Sequence, residues 1–243
     1  MPPLPKSNTP AKRNNRNLFI ALAVAAVVAA ALIVGSIVLR GGSDSSSGTT
    51  GTTSSGTALV AGIPQSGTIL GNPDAKVTMV QYEDFQCPIC REYTVDALPA
   101  IVNEYVKTGK VKLDYHGLSF LGTDSVKALR VALAAGKQNK LWEVAELFYE
   151  QQGDENSGWV TDEKVNEILA QVPGLDADKV LADAESPAIT AEIEKVNQEA
   201  SDRDVQGTPT FFIAIGAGEP YRLAPTSLTP DAFRPALDDA LQG

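Results

Sequence analysis

The segment Lys76-Val-Thr-Met-Val-Gln-Tyr-Glu-Asp-Phe-Gln-Cys-Pro-Ile-Cys90 contains both cysteines of the 243-residue chain, spaced as C-x-x-C. Its first part, residues 76–82, is rich in β-branched residues and predicts a strand. A helix is predicted to open at the cysteine motif, where Pro88 is tolerated in the first turn. Free N–H groups at a helix start stabilise a thiolate. We therefore expect Cys87 to be a nucleophile and Cys90 to be the thiol that resolves a mixed disulfide.

The C-x-x-C motif has two other interpretations. One is an inert structural disulfide. The other is half of a metal site, which would need His116, the single histidine of the chain, or a second chain to complete it. Nothing in the sequence brings His116 to the motif, so we expect His116 to be structural and the site to contain neither metal nor cofactor.

Outward from the motif, strand-like and helix-like patterns predict an α/β domain. Strands are predicted at 111–118, 209–215 and 221–223, and helices at 90–107, 123–135, 140–152, 161–172, 176–185, 187–203 and 229–241. The order is β-α-β, then a long run of helices, then β-β-α. This order is expected for a split α/β unit with a helical insertion at about residues 123–204.

The N-terminal part of the chain differs in character. Residues 1–17 are polar, with basic residues and no acidic ones, and residues 18–39 contain no charge. A helix over 18–39 is long enough to span a bilayer core of about 30 Å. The preceding cations predict a cytoplasmic N-terminus. Residues 40–57, rich in Gly, Ser and Thr, are expected to form a flexible tether, and residues 58–243 an extracytoplasmic domain.

Two alternatives for residues 18–39 are a cleaved signal peptide and a buried core helix. A signal peptide usually has a shorter apolar core of about 7–15 residues followed promptly by a small-residue cleavage site. A soluble helix of this length would show a polar face, which residues 18–39 lack. An uncleaved membrane anchor is therefore favoured.

The charge balance excludes one class of partner. The chain has 30 Asp and Glu against 20 Lys and Arg, which gives a formal net charge of −10. Nucleic-acid binding requires clustered cations, so no nucleic-acid partner is expected.

Three segments resemble the DsbA family of thiol–disulfide oxidoreductases: Tyr82-Glu-Asp-Phe-Gln-Cys-Pro-Ile-Cys90, Lys140-Leu-Trp-Glu143 followed by Leu147-Phe148, and Val205-Gln-Gly-Thr-Pro-Thr-Phe211. They occur in the family's order, and the resemblance spans roughly residues 65–242. It implies a thioredoxin-like fold with a helical insertion, here preceded by a single transmembrane helix. It also implies that Pro209 is a cis-proline that faces the cysteines, with Thr208 before it.

The resemblance places supporting residues around the cysteines: Pro88, Ile89, Glu83, Asp84 and Phe85. The sequence also departs from the family pattern. Strong oxidants of the family carry a thiolate-stabilising His where this chain has Ile89. Some members carry a buried acid as a proton relay six residues before the first Cys, where this chain has Gln81. Glu83 and Asp84 lie close by, and the sequence leaves open whether they face solvent.

These features predict a membrane-anchored, monomeric enzyme that forms disulfide bonds in reduced secreted proteins and is reoxidised by a membrane redox partner. A reductase or isomerase of the same fold is the first alternative, favoured by the missing His. A non-catalytic tethered binding or sensor domain is the second alternative.

Overall fold

The computed structural model describes residues 55–243. The predicted cytoplasmic segment, the predicted membrane span at 18–39 and most of the predicted tether lie outside these residues. Within residues 55–243, no helix is both long and apolar enough to cross a bilayer. The first described helix begins at Ser55, three residues before the predicted start of the domain at 58.

The described elements follow the order expected from the sequence, with additions at the N-terminal end. In chain order they are α1 (Ser55–Val60), β1 (Gln65–Ser66), β2 (Ile69–Leu70), β3 (Val77–Glu83), α2 (Pro88–Asp96), α3 (Leu98–Ile101), a π-helical turn (Val102–Val106), β4 (Val111–Gly117), α4 (Thr123–Gly136), α5 (Leu141–Glu150), α6 (Asp162–Ala170), α7 (Ala177–Ala184), α8 (Pro187–Asp202), β5 (Thr210–Ile215), β6 (Tyr221–Leu223) and α9 (Pro230–Gln242).

The strands form one six-stranded sheet in the order β1-β2-β4-β3-β5-β6. Strand β3 lies in the middle, parallel to β4 and antiparallel to β5. The hairpin of β5 with β6 is confirmed, whereas the short β1–β2 hairpin was not predicted. Because β3 is covered on both faces, six of its seven residues are buried. The cysteine motif therefore follows directly from the most enclosed strand of the fold.

The single helix predicted at 90–107 was wrong in detail. The chain instead forms α2, then α3, then the π-helical turn. Pro99 lies in the first turn of α3, where its missing N–H is tolerated but where it cannot continue a preceding helix. At the other end, α2 begins at Pro88, so Cys87 is its N-cap residue.

The helical insertion consists of α4 to α8 and confirms the predicted thioredoxin-like α/β fold with an insertion. Helix α6 begins after Thr161, whose side chain caps it by accepting a hydrogen bond from the Lys164 N–H at 3.1 Å. Helix α5 is almost wholly buried and packs against α1, α2, α4 and α6. Through α5, the insertion therefore contacts α2, the helix that begins at the cysteine motif. His116 contacts the carboxylates of Asp114 and Glu199.

Candidate active site

Cys87 lies at the N-terminus of α2 in extended backbone conformation, with φ −73° and ψ 115°. Its Sγ accepts a hydrogen bond from the Cys90 N–H at 3.4 Å. The positive end of the helix dipole and this N–H group both favour negative charge on Sγ. Cys87 is 6% exposed, so its sulfur lies at the edge of the surface rather than deep in the core.

Cys90 lies one turn further into α2 and is fully buried. Both cysteines are free thiols in the structure. Burial, the hydrogen bond to Cys87 and the charge of Glu83 raise the pKa of Cys90 well above the ordinary value of a thiol. Cys90 is therefore held in the protonated form.

The pKa of Cys87 moves in the opposite direction and falls to about 6. The hydrogen bond from the Cys90 side chain is the largest cause, and burial opposes it. The Thr208 side chain and the backbone N–H groups of Cys90 and Ile89 lower the pKa further. The two thiols of one motif thus differ in chemistry at neutral pH, because one is a thiolate and the other a protonated thiol.

The loop before β5 approaches the cysteines from the opposite side of the fold. The Thr208–Pro209 peptide bond is cis, as the resemblance implied. The carbonyl oxygen of Thr208 lies 3.4 Å from Sγ of Cys87. The structure therefore brings together Cys87, Cys90, Thr208 and Pro209, which the sequence analysis had singled out as site residues.

Glu83, the last residue of β3, is buried with 1% exposure. Neither of its carboxylate oxygens has a hydrogen-bond partner among the described residues. Burial raises the pKa of Glu83 to about 8, the nearby Tyr149 hydroxyl opposes the shift, and charge on Cys87 adds to it. Burial followed by the charge of Glu83 also raises the pKa of Glu146. A protonatable carboxyl group therefore lies in the same low-dielectric region as Cys90.

Asp84 is fully buried and organises the turn between β3 and the cysteines. Its carboxylate accepts hydrogen bonds from the Gln86 N–H at 2.9 Å and the Ser125 hydroxyl at 2.5 Å. It also accepts from the N–H groups of Phe120 and Leu121 at 3.1 and 3.3 Å. The sequence left open whether Glu83 and Asp84 face solvent, and in the structure both are buried.

Phe85 anchors the same turn to the insertion. Its ring is fully buried and lies 5.2 Å from the ring of Phe148 and 5.1 Å from that of Tyr149, measured between centroids. Gln152, which follows α5, donates from Nε2 to the carbonyl oxygens of Phe85 at 2.8 Å and Cys87 at 3.1 Å. The insertion thus contacts the cysteine turn through aromatic packing and through hydrogen bonds.

An open cleft runs beside the cysteines along the cis-proline loop. Its lining is mainly apolar and includes Ile89, Thr208, Pro209, Arg222, Leu223 and Leu228. Ile89 is 49% exposed at its rim, so it points away from the core. Pro88 occupies the first position of α2, where its fixed φ suits a helix start.

Sequence reasoning missed the enclosure of Glu83. Residues 81 and 83 are two positions apart on β3 and therefore face the same side of the sheet. Gln81 occupies the place where some relatives carry an acid, and its Oε1 accepts a hydrogen bond from the Tyr93 hydroxyl at 3.0 Å. Extending the strand by one residue would have shown that Glu83 shares this face.

No group of three or more His, Cys, Asp or Glu side chains within residues 55–243 could hold a metal ion.

A family model described as thioredoxin matches residues 65–239. The probable disulfide bond formation protein D of Bacillus anthracis is 31% identical over 147 residues, which cover 59% of this chain and 68% of the relative. Disulfide bond formation protein D of Bacillus subtilis is 25% identical over 165 residues, which cover 66% and 74% of the two chains.

Among solved structures, oxidised BdbD from Bacillus subtilis superimposes with a TM-score of 0.63 at 21% sequence identity. The match covers 74% of this chain and 98% of that structure. This similarity supports the fold described above.

Proposed function

The chain belongs to the thioredoxin family as a DsbA-like protein disulfide oxidoreductase, and we propose that it forms disulfide bonds in reduced secreted proteins outside the cytoplasm. The proposal rests on the difference in pKa between the two thiols of the C-x-x-C motif. Cys87 has a pKa lowered to about 6, whereas the pKa of Cys90 is raised well above its usual value. Such a pair favours attack and release at Cys87 and protonation at Cys90.

The reaction runs through two exchanges at sulfur. A substrate thiolate attacks Sγ of Cys87 in the Cys87–Cys90 disulfide, the S–S bond breaks, and its electron pair passes to Cys90. A second substrate thiolate then attacks the substrate sulfur of the mixed disulfide and releases Cys87 as a thiolate. Two electrons move from the substrate dithiol to the enzyme. A low pKa makes Cys87 the better leaving group in the second exchange.

Glu83 supplies the proton that the first exchange requires. A thiolate at the buried Cys90 position is costly, because no solvent stabilises the charge there. With a pKa of about 8, Glu83 is largely protonated at neutral pH. It can transfer its proton to Cys90 as the S–S bond breaks and recover one when the pair is oxidised again. Some relatives carry an acid with this role at the position of Gln81. In this chain the acid lies two residues further along β3, on the same face of the strand.

The mainly apolar cleft beside the cis-proline loop fits an extended substrate peptide. Backbone groups at Thr208 are suited to pair with such a peptide, while Ile89 and Leu223 offer apolar contact. A substrate cysteine joined to Cys87 would lie at the head of this cleft. Substrates are thus expected to be unfolded or flexible segments that carry reduced cysteines.

The proposed location follows from the sequence of residues 1–57. The uncharged run at 18–39, the cations before it and the Gly/Ser/Thr-rich segment after it support a single-pass cell-membrane protein with a tethered, monomeric catalytic domain outside. No cytosolic reductant reaches such a domain, so disulfides persist there. A membrane redox partner would reoxidise the reduced cysteines.

A reductase acting on a narrower set of clients is the second candidate function. The observation that favours it is Ile89, which stands where strong oxidants of the family have a thiolate-stabilising His. Ile89 cannot donate a side-chain hydrogen bond or carry positive charge. The direction of net electron flow therefore depends on how far the remaining donors stabilise the Cys87 thiolate.

Trapping in living cells tests the proposed function. A full-length Cys90→Ala variant should accumulate mixed disulfides between Cys87 and secreted proteins. The matched Cys87→Ser variant should accumulate none. A Cys90→Ala variant that traps no secreted protein would contradict the oxidase proposal, and so would trapped clients confined to the cytoplasm.

Location requires its own test in intact cells. A membrane-impermeant maleimide should label Cys87 of the reduced full-length protein without lysis, and the protein should sediment with membranes. Labelling that occurs only after lysis would contradict the proposed topology.

A further inference from the structure

Gln152 is the one residue of the insertion seen to hydrogen-bond the backbone of Cys87 within the described chain. Its carboxamide nitrogen donates to the carbonyl oxygens of Phe85 and Cys87 at 2.8 and 3.1 Å. A carboxamide NH₂ group has two hydrogens, so each carbonyl can receive one. A single side chain therefore bridges the carbonyl groups of the two residues that flank Gln86.

The opposite side of this turn is held by different partners. The Gln86 side chain donates to the Leu121 carbonyl at 2.9 Å and accepts from the Asn156 N–H at 2.7 Å. These contacts fix the middle of the turn. They do not fix the orientation of the Cys87 carbonyl, which Gln152 holds together with the Arg91 N–H at 3.2 Å.

The orientation of a residue's carbonyl oxygen turns directly with its ψ angle. Cys87 has a ψ of 115°, and in this conformation its Sγ meets the Cys90 N–H at 3.4 Å. A donor fixed on the Cys87 oxygen therefore restrains the same angle that aims Sγ at the helix start. The same Gln152 amide donates to the Phe85 carbonyl. The Phe85 ring packs against Tyr115 and Phe148, so Phe85 gives Gln152 a rigid second attachment.

We propose that Gln152 is a positioning residue, which sets the Cys87 conformation from the helical insertion and so controls the reactivity of Sγ. This rests on the proposed role of Cys87 and extends the site to a residue of the insertion. A change in α5 would be transmitted through Gln152 to the reactive sulfur. Gln152 itself touches neither sulfur in the structure.

The neighbouring glutamine offers a matched control. Gln151 donates to the Gln171 side chain at 3.2 Å and accepts from Lys164 at 3.5 Å. These contacts lie within the insertion. Replacing either glutamine by Met keeps the side-chain length and removes the N–H donors, but only Gln152→Met removes a side-chain hydrogen bond from the Cys87 carbonyl.

The test measures thiolate formation at 240 nm against pH in the reduced full-length protein, with a Cys87→Ser sample as the blank. For Gln152→Met, we expect the midpoint to rise by about half a pH unit or more, and alkylation by iodoacetamide at pH 6 to slow about twofold. For Gln151→Met, we expect the wild-type midpoint. Melting temperatures are recorded for both variants, because a merely structural role would change stability without moving the midpoint.

An unchanged midpoint in folded Gln152→Met, or an equal shift in both variants, would overturn the proposal. If Gln152→Met does not fold, Gln152→Ala is measured by the same criterion. The proposed function is tested independently by trapping. If Cys90→Ala trapped no secreted protein, the proposed function would be contradicted, but the effect of Gln152→Met on the titration midpoint of Cys87 could still be observed.

Discussion

The carbonyl oxygen of Thr208 lies 3.4 Å from Sγ of Cys87, although 121 positions separate the two residues in the chain. The contact exists because the loop before β5 returns to the N-terminus of α2. A substrate cysteine bonded to Cys87 would have to lie along the Thr208–Pro209 loop. The contact therefore joins the reactive sulfur to the surface that is proposed to hold the substrate.

Removal of the Cys90 thiol should raise the pKa of Cys87. The Cys90 side chain is the largest cause of the low Cys87 value of about 6. In Cys90→Ala, we expect the titration midpoint at 240 nm to rise by about one pH unit. Cys90→Ser retains a hydroxyl donor and should stay closer to the wild type. Identical midpoints in the two variants would show that the thiol donor is not responsible.

Glu83→Gln should stabilise the reduced protein at neutral and alkaline pH but not at acidic pH. Burial raises the folded-state pKa of Glu83 from 4.5 to about 8. Between these values the unfolded chain loses its proton while the folded chain keeps it, so the carboxyl group lowers stability as pH rises. We expect the variant to gain about 1–3 kcal/mol in free energy of unfolding at pH 8 and nothing at pH 4.

The measurement is urea unfolding at several pH values. Glu92→Gln, at an exposed position on α2, controls for loss of one negative charge. A gain for Glu83→Gln that does not change with pH would contradict the assignment of Glu83 as a buried acid.

Asp84→Ala should strongly destabilise the fold. The substitution removes the acceptor of three backbone N–H groups and of the Ser125 hydroxyl in a buried region. Donors left without a partner cost free energy, and we expect a loss of about 3 kcal/mol or more in urea unfolding. Asp96→Ala, at an exposed position near the end of α2, should have little effect. Equal losses in the two variants would refute the organising role of Asp84.

Ile89→His should make the enzyme a stronger oxidant. Ile89 is 49% exposed, so a larger polar side chain fits without disturbing the core. A protonated imidazole at this helix start would stabilise the Cys87 thiolate and shift the reduction potential upward by about 30 mV for each tenfold change in the exchange equilibrium. Ile89→Gln provides a neutral polar control. If both variants keep the wild-type potential in glutathione buffers, position 89 does not set oxidising power here.

The parts of the site that could be predicted from the sequence are those encoded by short-range patterns. The spacing of Cys87 and Cys90, with Pro88 between them, fixes both thiols at a helix start. Thr208 and Pro209 were identified through the resemblance, since no local pattern states that a loop 121 residues away returns to Cys87. The strand and helix order likewise followed from hydrophobic periodicity and turn residues.

The remaining features depend on tertiary burial. Whether Glu83 is a surface acid or an enclosed one depends on β4, β5 and α5 closing around β3. The contact of Gln152 with the Cys87 carbonyl depends on the turn that follows α5. The break at Pro99 was visible in the sequence, but apolar spacing across it favoured one continuous helix.

The reduction potential of the Cys87–Cys90 pair tests the central claim most directly. The full-length protein is equilibrated in glutathione buffers at pH 7, and the dithiol fraction is measured by alkylation. A Cys87 pKa of about 6 lies between those of DsbA, about 3.5, and thioredoxin, about 7. The account predicts a potential between their values of about −120 and −270 mV. A potential at or below that of thioredoxin, or a pair that never forms a disulfide, would contradict the account of this protein as a disulfide-forming enzyme.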